Sequence, residues 1–486
     1  MHEVQSPFHQ SPAVRWVFAA GLVAIPFDAV QGIGALGELG NELSFPFFAI
    51  AIALALILSA IRGTLNIADS LVVRVAGIVL ALIFLSLLFN LTDILSADFR
   101  ERGGLNKFAT SLLVVLYGLA LAWLAEQMEP ERFLPLLARF ICWSAMFSIF
   151  YIMVELWGRS GAFGGAFSTI DAIVHSRQAD VVNPWDGSLN EKVMFGWDQR
   201  FRSVSFEPPA FGNYTGFAWP WVWFAALKVA PERKARAWTL LIVFTLIIVV
   251  AASRTGLLML IVNLAMIALL AAVYSGKRGN SEAAVAARMI VPAAIGLGAL
   301  VAGVLAAVHY NDIVKGVLLG DSVSNLSRLG FQVAAFNIFA ANPMFGVGLG
   351  QFGFHVSAHM PDWAFLSPEV GPMLTYPLAP WPNVYSIYAR IAAELGVAGL
   401  IGWVVLWVGL AFALAGQLRR DADPRGPTIT WHYPVILNCV GVLFSGFTTD
   451  TFRTPMIWIA LGLGCGLLAR ARRSGSAALS ASPATG

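Results

Sequence analysis

A handful of charged residues stand where charge is expensive. Arg254 lies in Ala251-Ala252-Ser253-Arg254-Thr255-Gly256, a short link between two apolar runs that otherwise carry no charge. A guanidinium there is costly near lipid unless it is paired or snorkels to headgroups. Facing a water-filled cavity, it is an always-charged fork suited to gripping a phosphate through two bonds. Arg328 opens Arg328-Leu-Gly-Phe-Gln-Val-Ala-Ala-Phe-Asn-Ile-Phe, where Phe331, Ala335, Phe336 and Phe339 recur at helical spacing. The pattern predicts an amphipathic helix along a membrane face, with the arginine on a lipid phosphate or a bound one. Glu207 sits in Phe201-Arg202-Ser203-Val204-Ser205-Phe206-Glu207-Pro208-Pro209. One reading is a helix start, with serine as cap, an acid at the dipole and proline in the first turn. In the other, Arg200 or Arg202 joins an anion clamp and Glu207 is a general base.

Other spellings carry less. Gly348-Leu-Gly350-Gln-Phe-Gly353 matches a dinucleotide fingerprint, but no strand or βαβ pattern surrounds it. Asp421-Ala-Asp423 lies in a charged linker with no soluble domain to hold a nucleotide, and reads as a solvated turn. His355 and His359 have the four-residue spacing of two ligands on one helix face. Gly353 and Pro361 crowd that segment, so no metal site is expected. Cys142, Cys439 and Cys465 all fall inside apolar runs with no pairing pattern, which argues against a disulfide framework or zinc ribbon.

The elements that position these residues follow from composition. Of 486 residues, 58% are apolar and only 12% charged, with a mean hydropathy of +0.73. That excludes a soluble globular protein. The net charge of +3 does not point to nucleic acid, because Lys and Arg are spread over links rather than gathered on one face. Apolar runs near 14–30, 44–61, 71–93, 108–125, 134–157, 209–229, 237–252, 256–275, 289–309, 394–416, 433–449 and 454–470 predict about twelve transmembrane helices in an all-α bundle. The polar start of the chain leads into the first run without a small-x-small cleavage site, so that run is expected to stay.

Clusters at Lys228/Arg233/Lys234/Arg236, Lys277/Arg278/Arg288, Arg419/Arg420/Arg425 and Arg470/Arg472/Arg473 then fall on one side with both termini, which places the N and C termini in the cytoplasm. Arg100, Arg102 and Lys107 run against that rule. Two outward segments, 158–208 and 310–393, are too long to be turns and are expected to carry function in a single membrane domain spanning 1–473. Their tryptophans (Trp185, Trp197, Trp363, Trp381) suit either an interfacial belt or an amphipathic, sugar-like ligand. The Ser/Ala/Gly-rich tail 474–486 is expected to be a disordered cytoplasmic extension.

Taken in order over roughly residues 200–410, these pieces resemble the bacterial O-antigen ligase and polymerase superfamily. They are Arg202-Ser-Val-Ser-Phe-Glu207-Pro, Ser253-Arg254, Ser327-Arg328, Asn342-Pro343 with Gly346-Val-Gly348-Leu-Gly350, and Ala393-Glu394-Leu395-Gly396-Val-Ala-Gly399-Leu400. The resemblance implies a multi-pass bacterial inner-membrane glycosyltransferase with its active site facing the periplasm. Arg254 and Arg328 would hold the diphosphate of an undecaprenyl-linked glycan while a hydroxyl displaces it, with no metal or cofactor required. Fixed guanidinium donors suit the charge growing on such a leaving group.

Ligases carry His-Asn shortly before Glu-Leu-Gly, whereas this chain has Trp381-Pro382-Asn383-Val384-Tyr385-Ser386, and Gln332 replaces the usual apolar residue four after Arg328. Both departures lean towards the repeat-unit polymerase branch. They leave the base open between Glu207, His355 and His359, with Arg200, Arg202, Asn383 and Tyr385 as further substrate-binding candidates. The expected function is polymerisation of lipid-linked oligosaccharide repeats. Expected partners are the lipid-linked donor and acceptor, membrane lipid, a chain-length regulator and a flippase. A ligase acting on lipid A core or protein, a flippase for the same lipids, and an enzyme using polyprenyl monophosphate sugars with acids Asp28, Glu38 and Glu42 are the rivals.

Overall fold

The computed structural model describes residues 11–30, 39–63, 69–159, 165–176, 201–251, 253–275, 323–376, 381–420 and 430–480. They form α1 (Pro12–Ala24), α2 (Phe45–Arg62), α3 (Leu71–Phe89), α4 (Leu91–Ser96), β1 (Asp98–Phe99), β2 (Arg102–Gly103), α5 (Gly104–Gln127), α6 (Pro130–Arg159), α7 (Gly165–Val174), α8 (Pro208–Lys228), α9 (Pro231–Val250) and α10 (Arg254–Ser275). Beyond these come α11 (Val323–Ala341), α12 (Phe352–His359), α13 (Val370–Thr375), α14 (Ile387–Arg420), α15 (His432–Ser445) and α16 (Pro455–Ser480).

This is an all-α, membrane-embedded architecture. Helices α2, α3, α5, α6 and α14 are each long and apolar enough to cross a bilayer, and the apolar stretches Pro12–Ala24, Arg254–Leu270 and His432–Ser445 are shorter. In hydrocarbon every backbone N–H and C=O must be satisfied within the segment, so apolar runs of this length fold as helices. Helices occupy the expected runs except 289–309, which lies outside the described residues.

Local chemistry sets the ends. Proline opens α1, α2, α8 and α9, where its missing N–H is no loss. The Ser70 hydroxyl caps α3 by accepting from Val73 N at 3.1 Å. Arg100 and Glu101, both at positive φ, form the turn of the β1–β2 hairpin.

The apolar stretch of α5 is 67% buried, whereas those of α3 and α14 are only 17% and 22% buried. Helix α5 is therefore interior, packed along α16, and α3 and α14 leave most of their apolar side chains on the outside. Helix α8 packs on α10, α9, α6 and α15 and fills the centre with Trp221 and Phe224. A buried indole needs an acceptor. Trp221 Nε1 donates to Asn438 Oδ1 at 2.6 Å, and Asn438 Nδ2 donates to the Phe217 carbonyl at 3.0 Å, which locks α15 to α8.

Two expectations change. The helix carrying Arg328 begins at Val323, so the arginine lies in its second turn rather than at its start. Its buried stripe is Phe331, Ala334, Ala335 and Ile338, while Phe336 is 47% exposed. The 323–393 region is also more than a loop: those four residues pack with Val347, Phe352, Val356, Met360 and Val370 in a second small core.

Candidate functional site

The site begins where α8 meets α10. Gly212 and Gly256 let the two backbones touch, since a Cβ on Gly212 would lie 2.4 Å from Gly256 N. This contact brings together the start of α8, where Glu207 is the N-cap residue, and the start of α10, where Arg254 is the first residue. Glu207 has extended N-cap geometry (φ −147°, ψ 161°), but its side chain makes no capping bond. The helix-start reading therefore accounts for the backbone and not for the carboxylate.

Helix α11 supplies the opposite wall. Asn325, Arg328 and Gln332 are spaced three and four apart and share one face, which flanks the buried stripe. Arg254 Nη1 donates to Asn325 Oδ1 at 3.2 Å. Among the described residues, the buried Arg254 Nε has no hydrogen-bond partner. One turn on, the Arg328 guanidinium lies 5.4 Å from the centre of the Tyr385 ring, in cation–π range. Gln332 Nε2 donates to the Tyr385 carbonyl at 3.3 Å.

Tyr385 is held in the left-handed region at φ 60°. Such a backbone persists only where its surroundings over-determine it. Here Asp450 does so: its Oδ2 accepts from Val384 N at 2.5 Å and Tyr385 N at 3.1 Å, and its carbonyl accepts from Arg390 Nη1 at 2.7 Å. Burial pushes the Tyr385 hydroxyl above its ordinary range, Arg328 opposes that, and Glu207, Asp450 and Glu369 add to the rise. A cavity between α8, α10 and α15 is lined by Asn213, Gly216, Met259, Asn438, Ser445 and Thr449, among others.

The glycine spacings in 342–350 and 394–399 serve packing. Gly346 at φ 62° and Gly396 at φ 67° are left-handed, and a Cβ on either would lie 2.4 Å from backbone of the other segment. Val347 N donates to the Ala393 carbonyl at 2.9 Å, Gly348 N to that of Glu394 at 3.0 Å and Val397 N to that of Pro343 at 2.8 Å. Ser86 of α3 and Asn90, the residue after it, brace the joint through the Phe345, Glu394 and Gly346 carbonyls. This docking orients α14 and the 381–386 turn before it.

Of the residues singled out by sequence, Glu207, Arg254, Arg328 and Tyr385 come together. Asn383 is exposed on the same turn as Tyr385. Arg202 does not join them: its Nη2 lies 2.8 Å from Asp171 Oδ2, in a pair with both side chains only 8% exposed. Arg200 lies outside the described residues.

His355 and His359 are placed elsewhere. His359 Nδ1 lies 3.0 Å from the His355 carbonyl, and Asn337 Nδ2 donates to the His359 carbonyl at 3.0 Å. Asn337 follows Arg328 by nine residues, a rotation of about half a turn at 3.6 residues per turn, so the histidines pack behind α11. Burial and then His359 lower the His355 pKa, with Asp93 opposing. Among the described residues no group of three His, Cys, Asp or Glu side chains is placed to hold a metal ion.

Sequence reasoning missed Asn325 and Asp450. Asp450 did carry a signal, an acid in a short link between two apolar runs, the same feature that drew attention to Arg254. Chemically, the arrangement offers two guanidinium groups for an anion, a carboxylate to accept a proton, and an aromatic ring beside them. A scan of protein-family models and a search of curated proteins found no match to this chain.

Proposed function

We propose that this chain is a bacterial membrane glycosyltransferase that lengthens a polysaccharide. It transfers the growing glycan from undecaprenyl diphosphate to a hydroxyl of the next lipid-linked repeat. In this reading the chain crosses the inner membrane about twelve times with both termini in the cytoplasm, and the site opens to the periplasm. One observation carries it: Arg254 contacts Asn325, one turn before Arg328, so arginines 74 positions apart in sequence converge on one helix face.

The chemistry is a displacement at the anomeric carbon. The acceptor oxygen forms the new glycosidic bond, the bond to the diphosphate oxygen breaks, and the acceptor proton passes to the Glu207 carboxylate. The leaving diphosphate gains negative charge as that bond breaks. In this reading Arg254 and Arg328 stabilise it, and removing one such donor typically costs about 100- to 1,000-fold in rate. The unpartnered Arg254 Nε supports this assignment, because a buried charged donor left without an acceptor is unfavourable until an anion arrives.

The test uses purified full-length protein in nanodiscs with a synthetic undecaprenyl-diphosphate oligosaccharide repeat as sole substrate. The expected product is a ladder of added repeats, lost in Arg254→Ala and Arg328→Ala. Transfer only after a lipid A core acceptor is supplied would make it a ligase instead. No transfer to either acceptor by folded protein would overturn the reading.

A further inference from the structure

The five residues before Glu207 are held far more firmly than a helix start needs. Arg202 Nη2 donates to Asp171 Oδ2 at 2.8 Å. Ser203 is left-handed at φ 57°. Its N–H donates to Glu155 Oε2 at 3.3 Å, its hydroxyl donates to the Ser148 carbonyl at 2.9 Å, and its carbonyl lies 3.0 Å from His175 Nε2. Val204 is buried. The Ser205 hydroxyl donates to the Pro26 carbonyl at 3.0 Å, and Phe206 N donates to Asp28 Oδ1 at 2.7 Å.

Two carboxylates anchor this strap at its ends. Asp171 Oδ1 accepts from the Tyr151 hydroxyl at 2.8 Å and lies 2.9 Å from His175 Nδ1, while Oδ2 takes Arg202. Asp171 thus reaches Arg202 directly and Ser203 through His175. Asp28, after α1, takes the Phe206 amide. Asp171, His175, Arg202, Ser203 and Glu155 are all buried, and burying several charged groups in one place is costly enough that their use lies in fixing geometry. A proline-opened helix such as α8 does not need them to begin. Glu207 follows this strap directly as the N-cap residue of α8, so its backbone position is set by the chain that leads into it.

We propose that Asp171 and Asp28 are positioning residues for Glu207: from two separate elements they hold residues 202–206 so that its carboxylate enters the site in one orientation. This rests on the reading of Glu207 as the base. Neither aspartate belongs to the cluster of Glu207, Arg254, Arg328 and Tyr385, so their loss should spare donor binding and slow the chemical step.

The test compares Asp171→Asn and Asp28→Ala with wild type and Glu207→Gln, all as full-length protein in nanodiscs. Asparagine at 171 has one acceptor oxygen where three donors converge, and alanine at 28 leaves the Phe206 amide without its acceptor. Amide hydrogen exchange across 201–207 should rise about tenfold or more in both variants as this local structure opens. Repeat transfer should lose about 10- to 100-fold in kcat with KM for the lipid-linked donor within about twofold. A role in folding alone would not divide kcat from KM in that way.

Unchanged exchange in both variants would overturn the proposal. So would raised exchange with unchanged kcat while Glu207→Gln is inactive, and that outcome would leave the base reading standing. Full activity of Glu207→Gln would remove the base reading itself, and the positioning role with it. Should Asp171→Asn fail to fold, Asp28→Ala, which takes the acceptor from the Phe206 amide, decides the matter alone.

Discussion

Gly212→Ala is the substitution whose effect follows most directly from the packing of α8 on α10. The new Cβ would lie 2.4 Å from Gly256 N, 2.7 Å from Ser253 Oγ and 3.0 Å from Gly256 Cα, and ordinary contact begins near 3.4 Å. Two of these are backbone atoms, which cannot rotate away. Helices α8 and α10 must therefore part by about 1 Å. Overpacking of this kind costs about 1–3 kcal/mol, partly offset by the roughly 1 kcal/mol that alanine gains over glycine inside a helix. Stability should fall by about 2 kcal/mol at most. The site should suffer more, because Glu207 stands five residues before Gly212 and Arg254 two before Gly256, and a displacement of about 1 Å can cost about 100-fold in rate. The assay is the rate of repeat addition in nanodiscs, read beside thermal unfolding of the same sample. Gly409→Ala in α14 is the control, since a Cβ there meets nothing within 4 Å; its rate should not change. Gly212→Ala running within about twofold of wild type would show that the α8–α10 spacing does not set catalytic geometry, and the reasoning would be refuted.

Two further outcomes are expected. Replacing His355 and His359 together with alanine should leave the transfer rate within about threefold of wild type, because the pair lies behind α11; a loss as large as that of Arg254→Ala would bring that back face into the site. Asp171 carries the pH dependence. Burial pushes its carboxyl up, but the His175 hydrogen bond and charge, with Arg202 and the Tyr151 hydroxyl, outweigh this and hold it below its ordinary value. A depressed carboxyl contributes stability above its unfolded pKa of about 3.9 and loses it as pH falls through the lower folded value. The Tm gap between wild type and Asp171→Asn should therefore be full near about pH 6 and narrow as pH is lowered below about 4; a gap independent of pH would contradict the assignment.

The helices were legible because a bilayer leaves an apolar run little choice, and run length alone marks the element. Arg254 was legible for a related reason: a charge at the edge of an apolar run must have a use or a partner. Its partner was not, because Asn325 becomes a neighbour only after α11 folds against the α9–α10 link. The spacing of His355 and His359 suggested two ligands on one face, yet in α12 the His359 ring turns back to the His355 carbonyl. Arg202, five residues from Glu207, looked like a member of the same clamp. The left-handed turn at Ser203 intervenes, and Asp171, 31 residues upstream, holds the guanidinium instead. The glycine turn at 346–350 could have approached a ligand or a helix, and the Glu394 backbone 2.4 Å from the Gly346 Cβ position makes it a helix. In each case sequence proximity or spacing named the residue, and tertiary contact named what it touches. Glu207 joins both halves of this argument: its neighbours in sequence are strapped to α6, α7 and the segment after α1, while in space it stands close enough to the 381–386 turn to act on the Tyr385 hydroxyl. The segment 201–207 is thus the place where the two walls of the site are brought into register, and a change that loosens it should be felt at Glu207 before it is felt in the fold.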